Sequence, residues 1–460
     1  MKTPMKDLVV IRTAKLLYAL ITAAMFCVCW QMYYMPCLGL QAVWAYGVAA
    51  GVLYIILFSM LGRIYEVFTV GVYRVSQLVY SQSLSLLMAA GIAYVVMTIC
   101  VLRFVNPLPL LALLAAQVLW SMVWSVLSNR LYFRLYKPQQ TVVVYNNEED
   151  LLKLHEIEQF GGRFQVTKYV RTPESMSALV DQIQDAEVVF LSDLNTDKRN
   201  AIIKYCIKND MQCYVQPKVG DVLMAGARHM QMFSVPLMRL RKVYLAPEYL
   251  LVKRALDIVA SVVAIIVASP FMLATALAIK LYDGGPVLYK QVRLTKGHKE
   301  FRLLKFRSMR TDAEKDGIAR LATENDDRIT PVGKVIRKIR FDELPQLFNI
   351  LKGDMTIVGP RPERPEIARQ YEEEIPSFGL RLQVKAGLTG YAQIYGKYNT
   401  EPYEKLKMDL MYINNMSFAE DLRLIFATIK ILFIPESTEG VAEGQTTASR
   451  KETEKESQKV

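Results

Sequence analysis

The sequence predicts three parts in series: an α-helical transmembrane bundle, a small α/β domain with a parallel sheet, and a mostly α-helical domain with a re-entrant membrane helix. Three observations predict this. Four apolar stretches of bilayer-crossing length occupy the first 130 or so residues. From Thr141 short apolar runs alternate with polar, amphipathic ones. A fifth apolar segment, Ala255–Ile279, is interrupted by Ser269-Pro270 and followed by strongly basic sequence.

Composition agrees. A 460-residue chain has room for several domains, and 52% hydrophobic residues exceed what a soluble globular protein needs. The net charge of +12 fits anionic headgroups or phosphorylated substrates. Nucleic acid is excluded as a partner, because neither zinc-finger spacing nor an RNA-binding aromatic signature is present. The six cysteines are scattered without metal spacing and read as free thiols. With three histidines (His155, His229, His298), a histidine-built metal site or triad is not expected. The first apolar stretch lacks a small-residue cleavage site and is long enough to remain as a span.

The four spans cover roughly residues 14–35, 40–61, 82–102 and 107–128, within a bundle assigned to residues 1–137. Lys2, Lys6, Arg12 and Lys15 precede the first, and the link between the first two has no Lys or Arg. Arg63 and Arg74 follow the second span, and Arg130, Arg134 and Lys137 follow the fourth. Positive residues stay cytoplasmic, so the N-terminus and everything after Lys137 are expected inside the cell. Trp30, Tyr33, Tyr34 and Trp44 suit an interfacial belt, and no charge lies mid-span, so the bundle reads as an anchor or assembly surface.

Residues 138–245 are expected to form the α/β domain. TVVVYNN, RFQVTKYV, AEVVFLSD and MQCYVQP read as strands; EEDLLKLHEIEQF, PESMSALVDQIQ and DKRNAIIKYCIKND read as helices. That alternation gives a parallel, Rossmann-like sheet. Its first strand–helix turn, Tyr145–Asp150, has no glycine for close phosphate approach and carries three acids, so a degenerate, non-binding domain is expected. Residues 226–250 read as a basic, Met-rich connector near the membrane surface.

The fifth apolar segment lies within an expected re-entrant helix over residues 254–282. Lys253, Arg254 and Lys280 flank both ends, leaving no charge asymmetry to drive a full crossing. Proline removes a backbone hydrogen bond mid-segment. A helix that enters the inner leaflet, breaks at Ser269-Pro270 and returns satisfies these facts and keeps the following residues cytoplasmic.

Residues 337–363, RKIRFDELPQLFNILKGDMTIVGPRPE, are the chemical centre. Asp342 and Glu343 stand among Arg337, Lys338, Arg340, Lys352 and Arg361. Leu344, Leu347, Phe348 and Leu351 recur at helical spacing, so the acid pair is expected at a helix N-terminus, with Lys352-Gly353 closing the helix. Gly359-Pro360-Arg361-Pro362 holds one guanidinium rigidly. Carboxylates among cations suit phosphoryl transfer with a divalent metal. From Gly284 to Lys352 there are 16 Lys and Arg against 9 Asp and Glu, which suits both a phosphate clamp and headgroup attraction.

DELPQLFNILKGDMTIVGPRPE resembles the signature of the bacterial sugar transferase family, the polyprenyl-phosphate phosphoglycosyl transferases, and the similarity runs from about Lys253 to Phe433. The resemblance implies a catalytic domain over residues 246–435 whose re-entrant helix carries the Ser269-Pro270 pair. It implies transfer of a sugar 1-phosphate from a UDP-sugar to undecaprenyl (polyprenyl) phosphate with release of UMP, at the cytoplasmic face of a bacterial inner membrane. Asp342 takes the nucleophile's place, Glu343 the Mg²⁺ ligand's, and Arg337, Arg361, Lys305 and Arg307 (the last pair in KFRSM) match basic positions for phosphate. Two alternatives stay open: a glycosyl transferase that moves only the sugar and releases UDP, and a non-enzymatic scaffold for polysaccharide assembly. A homodimer is compatible with the sequence but not required by it.

GLRLQVKAGLTGYAQIYGKYN resembles the family's PGITGWAQVNGR, with Ala386 for proline and Tyr391 for tryptophan. Its glycines (Gly387, Gly390, Gly396) and tyrosines (Tyr391, Tyr395, Tyr398) suit either a uracil or sugar contact or a turn-rich structural loop. Glu324–Asp327 reads as an exposed acidic turn rather than a metal site. Residues 401–415 and 418–434 read as helices, the second fit to lie in the membrane interface. Residues 436–460, almost without apolar side chains, are expected to be a disordered tail.

Overall fold

The computed structural model describes residues 5–38, 44–147, 162–172, 175–232, 234–240, 245–311, 313, 326, 328–396 and 400–432. Its contacts divide into two units, Met1–Gln216 and Pro217–Val460. Among the described residues five helices are long and apolar enough to cross a membrane, four in the first unit and one in the second.

The first unit opens with α1 (Met5–Cys29), continued by a π turn and a 3₁₀ turn to Leu38, then α2 (Trp44–Ile64), α3 (Val75–Val101) and α4 (Leu108–Leu135). Its polarity is inverted relative to a water-soluble bundle. Leu16, Leu17, Leu53, Ile56 and Leu119 point outward, while glutamines and hydroxyls face the interior. Tyr18 and Ser121 share a 2.7 Å hydrogen bond. Gln117 donates to the Thr22 carbonyl at 3.0 Å and accepts from the Tyr54 hydroxyl at 3.2 Å. Ser125 donates to Gln82 at 2.9 Å. In hydrocarbon, where water satisfies no polar group, such interhelical bonds fix helix register.

The α/β domain follows with β1 (Gln139–Tyr145), β2 (Phe164–Arg171), α5 (Met176–Ile183), β3 (Val188–Leu191), α6 (Thr196–Lys208) and β4 (Gln212–Val215). The sheet is parallel, in the order β2-β1-β3-β4. Val142–Val144, on the inner strand β1, are buried. The strands agree with those expected; the helix expected over EEDLLKLHEIEQF and the three acids of the first turn lie outside the described residues.

The second unit begins at Pro217. Residues 217–245 group with it and not with the α/β domain. The reason is α7 (Val219–Ala225), whose Val222 is buried in one core with Val358, Tyr371, Leu406, Leu410 and Leu424. Where the sequence reads as a connector, β5 (Arg228–Met232) and β6 (Val235–Arg239) form an antiparallel hairpin, missed because its alternation is diluted by Met, Arg and Pro.

Next comes α8 (Pro247–Asp283), 37 residues long. The break expected at Ser269-Pro270 is not an interruption: the helix continues through it. Proline leaves the Ile266 carbonyl without its usual donor, and the Ser269 hydroxyl supplies one at 2.8 Å. One stripe of α8 packs on the rest of the unit from end to end. Arg254 donates to the Ile350 and Leu351 carbonyls at 2.6 and 2.7 Å. Asp257 accepts from Thr356 Oγ1 at 2.6 Å and from the Ile357 amide at 3.0 Å. Ala264 and Ile265 join Phe301, Leu303 and Leu347, while Met272 and Ala276 join Ile279, Phe306 and Ile336. The opposite face, including Val259, Val263, Ile266 and Val267, is exposed and apolar.

The remaining elements are the hairpin β7 (Leu288–Thr295) and β8 (Lys299–Phe306), α9 (Pro331–Lys338), α10 (Gln346–Lys352), β9 (Thr356–Val358), α11 (Pro365–Glu374), β10 (Gly387–Thr389), α12 (Tyr391–Tyr395), α13 (Pro402–Asn414) and α14 (Phe418–Leu432). β9 and β10 pair in parallel. A buried cluster ties α8 to the last two helices. Asp421 accepts from Tyr249 at 2.8 Å, Lys253 at 2.7 Å and Tyr412 at 2.7 Å. The tail after Leu432 lies outside the described residues.

Candidate active site

The site is assembled by three short segments converging on one carboxylate. β8 carries Lys305 near its end, opposite Tyr289 in the hairpin register. α9 is capped by Thr330, whose hydroxyl accepts from the Gly333 amide at 2.9 Å, and it stops at Lys338. Arg340 then adopts the left-handed conformation (φ 55°), unusual for a residue with a side chain, and turns the chain into the 3₁₀ turn Phe341–Glu343.

Here the structure corrects the expected helix N-terminus. Asp342 and Glu343 lie in the 3₁₀ turn, and α10 begins only at Gln346, with Pro345 as its N-cap residue. Phe341 and Leu344 pack against the cluster containing Ile279 and Phe306, so burial decides where the chain turns. Gly353, at φ 96°, closes α10 as expected.

Glu343 Oε1 accepts from Lys305 Nζ at 3.1 Å and from Arg361 Nη2 at 2.9 Å. Both donors use the same oxygen; among the described residues no donor reaches Oε2. Asp342 accepts no hydrogen bond among the described residues. Burial raises the Asp342 carboxyl above its ordinary range, and the neighbouring Glu343 charge adds to this against the pull of Lys305, Arg337 and Arg361. Burial also pushes Glu343 up, but Lys305, Arg361 and Arg340 together outweigh it and hold Glu343 well below the usual carboxylate range. The two adjacent acids therefore differ: two cations hold Glu343 and favour its charged form, whereas burial raises Asp342, which accepts no hydrogen bond among the described residues.

Of the residues singled out from sequence, the structure brings together Asp342, Glu343, Lys305 and Arg361. Arg337 contributes charge near Asp342 without an ion pair among the described residues. Arg307 is buried and pairs with Asp283 at the end of α8, not with the acid pair. Ser269 and Pro270 sit in α8, but the next residue, Phe271, packs edge-on to Phe341 with ring centres 6.1 Å apart. α8 thus touches the residue preceding Asp342.

Arg340 was legible only as one more cation. Its burial and its position beside Glu343 depend on a left-handed turn that the local sequence does not announce.

Among the described residues no group of three or more His, Cys, Asp or Glu side chains gathers to hold a metal. A pair of carboxylates is nonetheless the donor set that Mg²⁺ uses when water and substrate phosphates complete its shell, and Glu343 Oε2 is left for it. In Glu324–Asp327, the described Asp326 is engaged by Arg328 at 2.6 and 2.7 Å; the others lie outside the described residues.

The glycines of the late loop serve backbone crossing. A Cβ on Gly387 would come within 2.1 Å of the Gly359 nitrogen, and one on Gly390 within 2.3 Å of the Gly359 carbonyl oxygen. Tyr391 is partly buried, donating to Glu420 at 2.8 Å, while Tyr395 accepts from Arg423 at 3.2 Å. Tyr398 lies outside the described residues. The structural reading of this loop is the one its geometry supports.

A family model described as bacterial sugar transferase matches residues 248–435. Over 190 residues the chain is 46% identical to the UDP-N-acetylgalactosamine-undecaprenyl-phosphate N-acetylgalactosaminephosphotransferase of Aeromonas hydrophila, covering 41% of this chain and 45% of that protein. Over 218 residues it is 39% identical to the UDP-glucose:undecaprenyl-phosphate glucose-1-phosphate transferase of Escherichia coli (strain K12), covering 46% and 47%. The chain therefore spans about half the length of these two relatives. It is 41% identical over 189 residues to the exopolysaccharide production protein PSS of Rhizobium leguminosarum bv. phaseoli, covering 39% of this chain and 94% of that protein.

Proposed function

Because the chain belongs to the bacterial sugar transferase family, we propose that it transfers a sugar 1-phosphate from a UDP-sugar to undecaprenyl phosphate and releases UMP. The observation that carries the reading is the division of labour in the acid pair. Glu343 is fixed by Lys305 and Arg361, and Asp342 beside it is raised in basicity and accepts no hydrogen bond among the described residues.

An Asp342 carboxylate oxygen attacks the phosphorus attached to the sugar. The bond from that phosphorus to the bridging oxygen breaks, and UMP leaves with the electron pair. An oxygen of the lipid phosphate then attacks the same phosphorus, freeing the Asp342 carboxylate and forming the lipid diphosphate sugar. Lys305 and Arg361 stand within reach of the same space and neutralise phosphate charge. Mg²⁺ held by Glu343 supplies further charge neutralisation when bound.

Both substrates must meet at one surface. α8 supports this: a full crossing does not accommodate a folded unit packed along one stripe from Arg254 to Ile279, whereas a helix dipping into one leaflet and exposing its other face to lipid does. The Ser269 hydroxyl satisfies the Ile266 carbonyl that Pro270 leaves without a donor, as a helix surrounded by lipid requires. In this reading the active site works at the cytoplasmic face of the inner membrane, with α1–α4 as anchor; the basic residues after α2 and α4 support that orientation.

The test is nucleotide product analysis of the detergent-purified full chain with undecaprenyl phosphate and a panel of UDP-sugars that includes UDP-N-acetylgalactosamine and UDP-glucose. UMP with a lipid-linked sugar is expected from at least one donor. UDP as product would establish a sugar-only transferase, and no turnover with any donor a scaffold.

A further inference from the structure

The Pro360–Glu363 stretch is held carbonyl by carbonyl. Pro360 O accepts from the Gly387 amide at 2.8 Å, and Glu363 O accepts from the Leu294 amide at 3.0 Å. Between them, Arg361 O accepts from Arg381 Nη2 at 2.8 Å, and Pro362 O accepts from Arg293 Nη1 at 3.0 Å. Prolines on both sides of Arg361 offer no amide, so the carbonyls are the backbone groups by which this stretch is gripped.

The two arginines are themselves anchored. Arg381 is 3% exposed, and its Nε and Nη2 reach Asp409 Oδ2 at 2.7 and 2.6 Å. Asp409 is 1% exposed. The Arg381 guanidinium lies over the Phe378 ring at 4.9 Å. Glu363 stands between the arginines, 3.6 Å from Arg381 and 3.7 Å from Arg293. Burying this many charges is costly unless their geometry is fixed, and a hydrophobic core would have stabilised the fold as well or better. What the cluster provides is position.

We propose that Arg381, oriented by Asp409 and assisted by Arg293, is a positioning residue for Arg361. It fixes the Arg361 backbone so that the guanidinium meets Glu343 and the incoming phosphate at a set distance. Arg381 acts on the reaction through Arg361. The inference rests on the proposed role of Arg361 as phosphate ligand.

The experiment is a double-mutant cycle on the detergent-purified full chain, using the UDP-sugar that the donor panel identifies, with kcat and KM measured for Arg381→Lys, Arg361→Lys and the double variant. Lysine keeps the charge at 381 but lacks the fork that spans Asp409 and the Arg361 carbonyl. Arg381→Lys is expected to lower kcat/KM on the order of 10- to 100-fold, as small misplacements of positioned groups do. In the Arg361→Lys background it is expected to cost less than about threefold, since the guanidinium it positions is gone. Equal losses from Arg381→Lys in both backgrounds overturn the proposal. An Arg361→Lys variant with wild-type kcat/KM instead overturns the phosphate-ligand reading itself.

Should Arg381→Lys not fold, Asp409→Asn replaces it in the cycle, with the same expected coupling to Arg361. A loss confined to the melting temperature, with kcat and KM per folded enzyme unchanged, shows a structural role and also overturns the proposal.

Discussion

Replacing Asp257 by alanine tests whether α8 is structurally fused to the catalytic unit. Asp257 is 6% exposed and accepts two hydrogen bonds, from Thr356 Oγ1 at 2.6 Å and the Ile357 amide at 3.0 Å. Hydrogen bonds to a charged group contribute about 1.5–3 kcal/mol each, so Asp257→Ala is expected to cost about 3–6 kcal/mol, much of it from leaving the Ile357 amide unpaired in the interior. Asp257→Asn keeps an acceptor for that amide and is expected to cost about 1–2 kcal/mol. A unit of roughly 200 residues shifts its melting temperature by about 2–4 °C per kcal/mol. Thermal melting of the purified chain in one detergent should therefore separate alanine from wild type by more than about 6 °C, with asparagine between. An Asp257→Ala chain melting within 1 °C of wild type would refute the coupling, and with it the argument that α8 lies along the domain.

Gly387→Ala is expected to abolish turnover, since its Cβ would stand 2.1 Å from the Gly359 nitrogen, whereas Gly220→Ala, with nothing within 4 Å, should keep full activity and gain about 0.5–1 kcal/mol in melting experiments. Tyr412→Phe removes the one hydroxyl proton shared between Asp421 Oδ1 at 2.7 Å and Val358 O at 2.9 Å, and should destabilise by about 1.5–3 kcal/mol, read as a lower melting temperature. Chelation with EDTA should stop lipid product formation and excess Mg²⁺ restore it, whereas Ca²⁺, larger and looser in coordination, should restore it poorly, by radiolabelled product assay.

The bundle and the sheet were readable because their information is local. A run such as VVV at Val142–Val144, or 20 or so apolar residues in a row, reports its own burial or length. The acid pair was readable for the same reason, being adjacent residues in a dense cationic stretch. Other features depend on partners distant in sequence. Asp257 looks like a stray charge in an apolar segment until Thr356 and Ile357 are brought to it. Lys305 lies near the end of β8 and Arg307 just beyond it, two residues apart, yet only Lys305 reaches Glu343, because Asp283 captures the other. Arg381 sits in the 3₁₀ turn Phe378–Gln383 with nothing local to mark it, and its grip on Arg361 spans 20 residues of sequence. The start of α10 was misplaced since helical spacing from Leu344 onward says nothing about the burial of Phe341 and Leu344, which turns the chain before the helix can begin.

The acid pair's chemistry is tested most directly by quenching the purified chain with a turned-over UDP-sugar in the absence of undecaprenyl phosphate and weighing its peptides by mass spectrometry. A peptide containing Asp342 heavier by one sugar phosphate, with UMP released in at most one equivalent and neither seen in Asp342→Asn, is the predicted result. UMP forming only when the lipid acceptor is present, with Asp342 unmodified throughout, would contradict it.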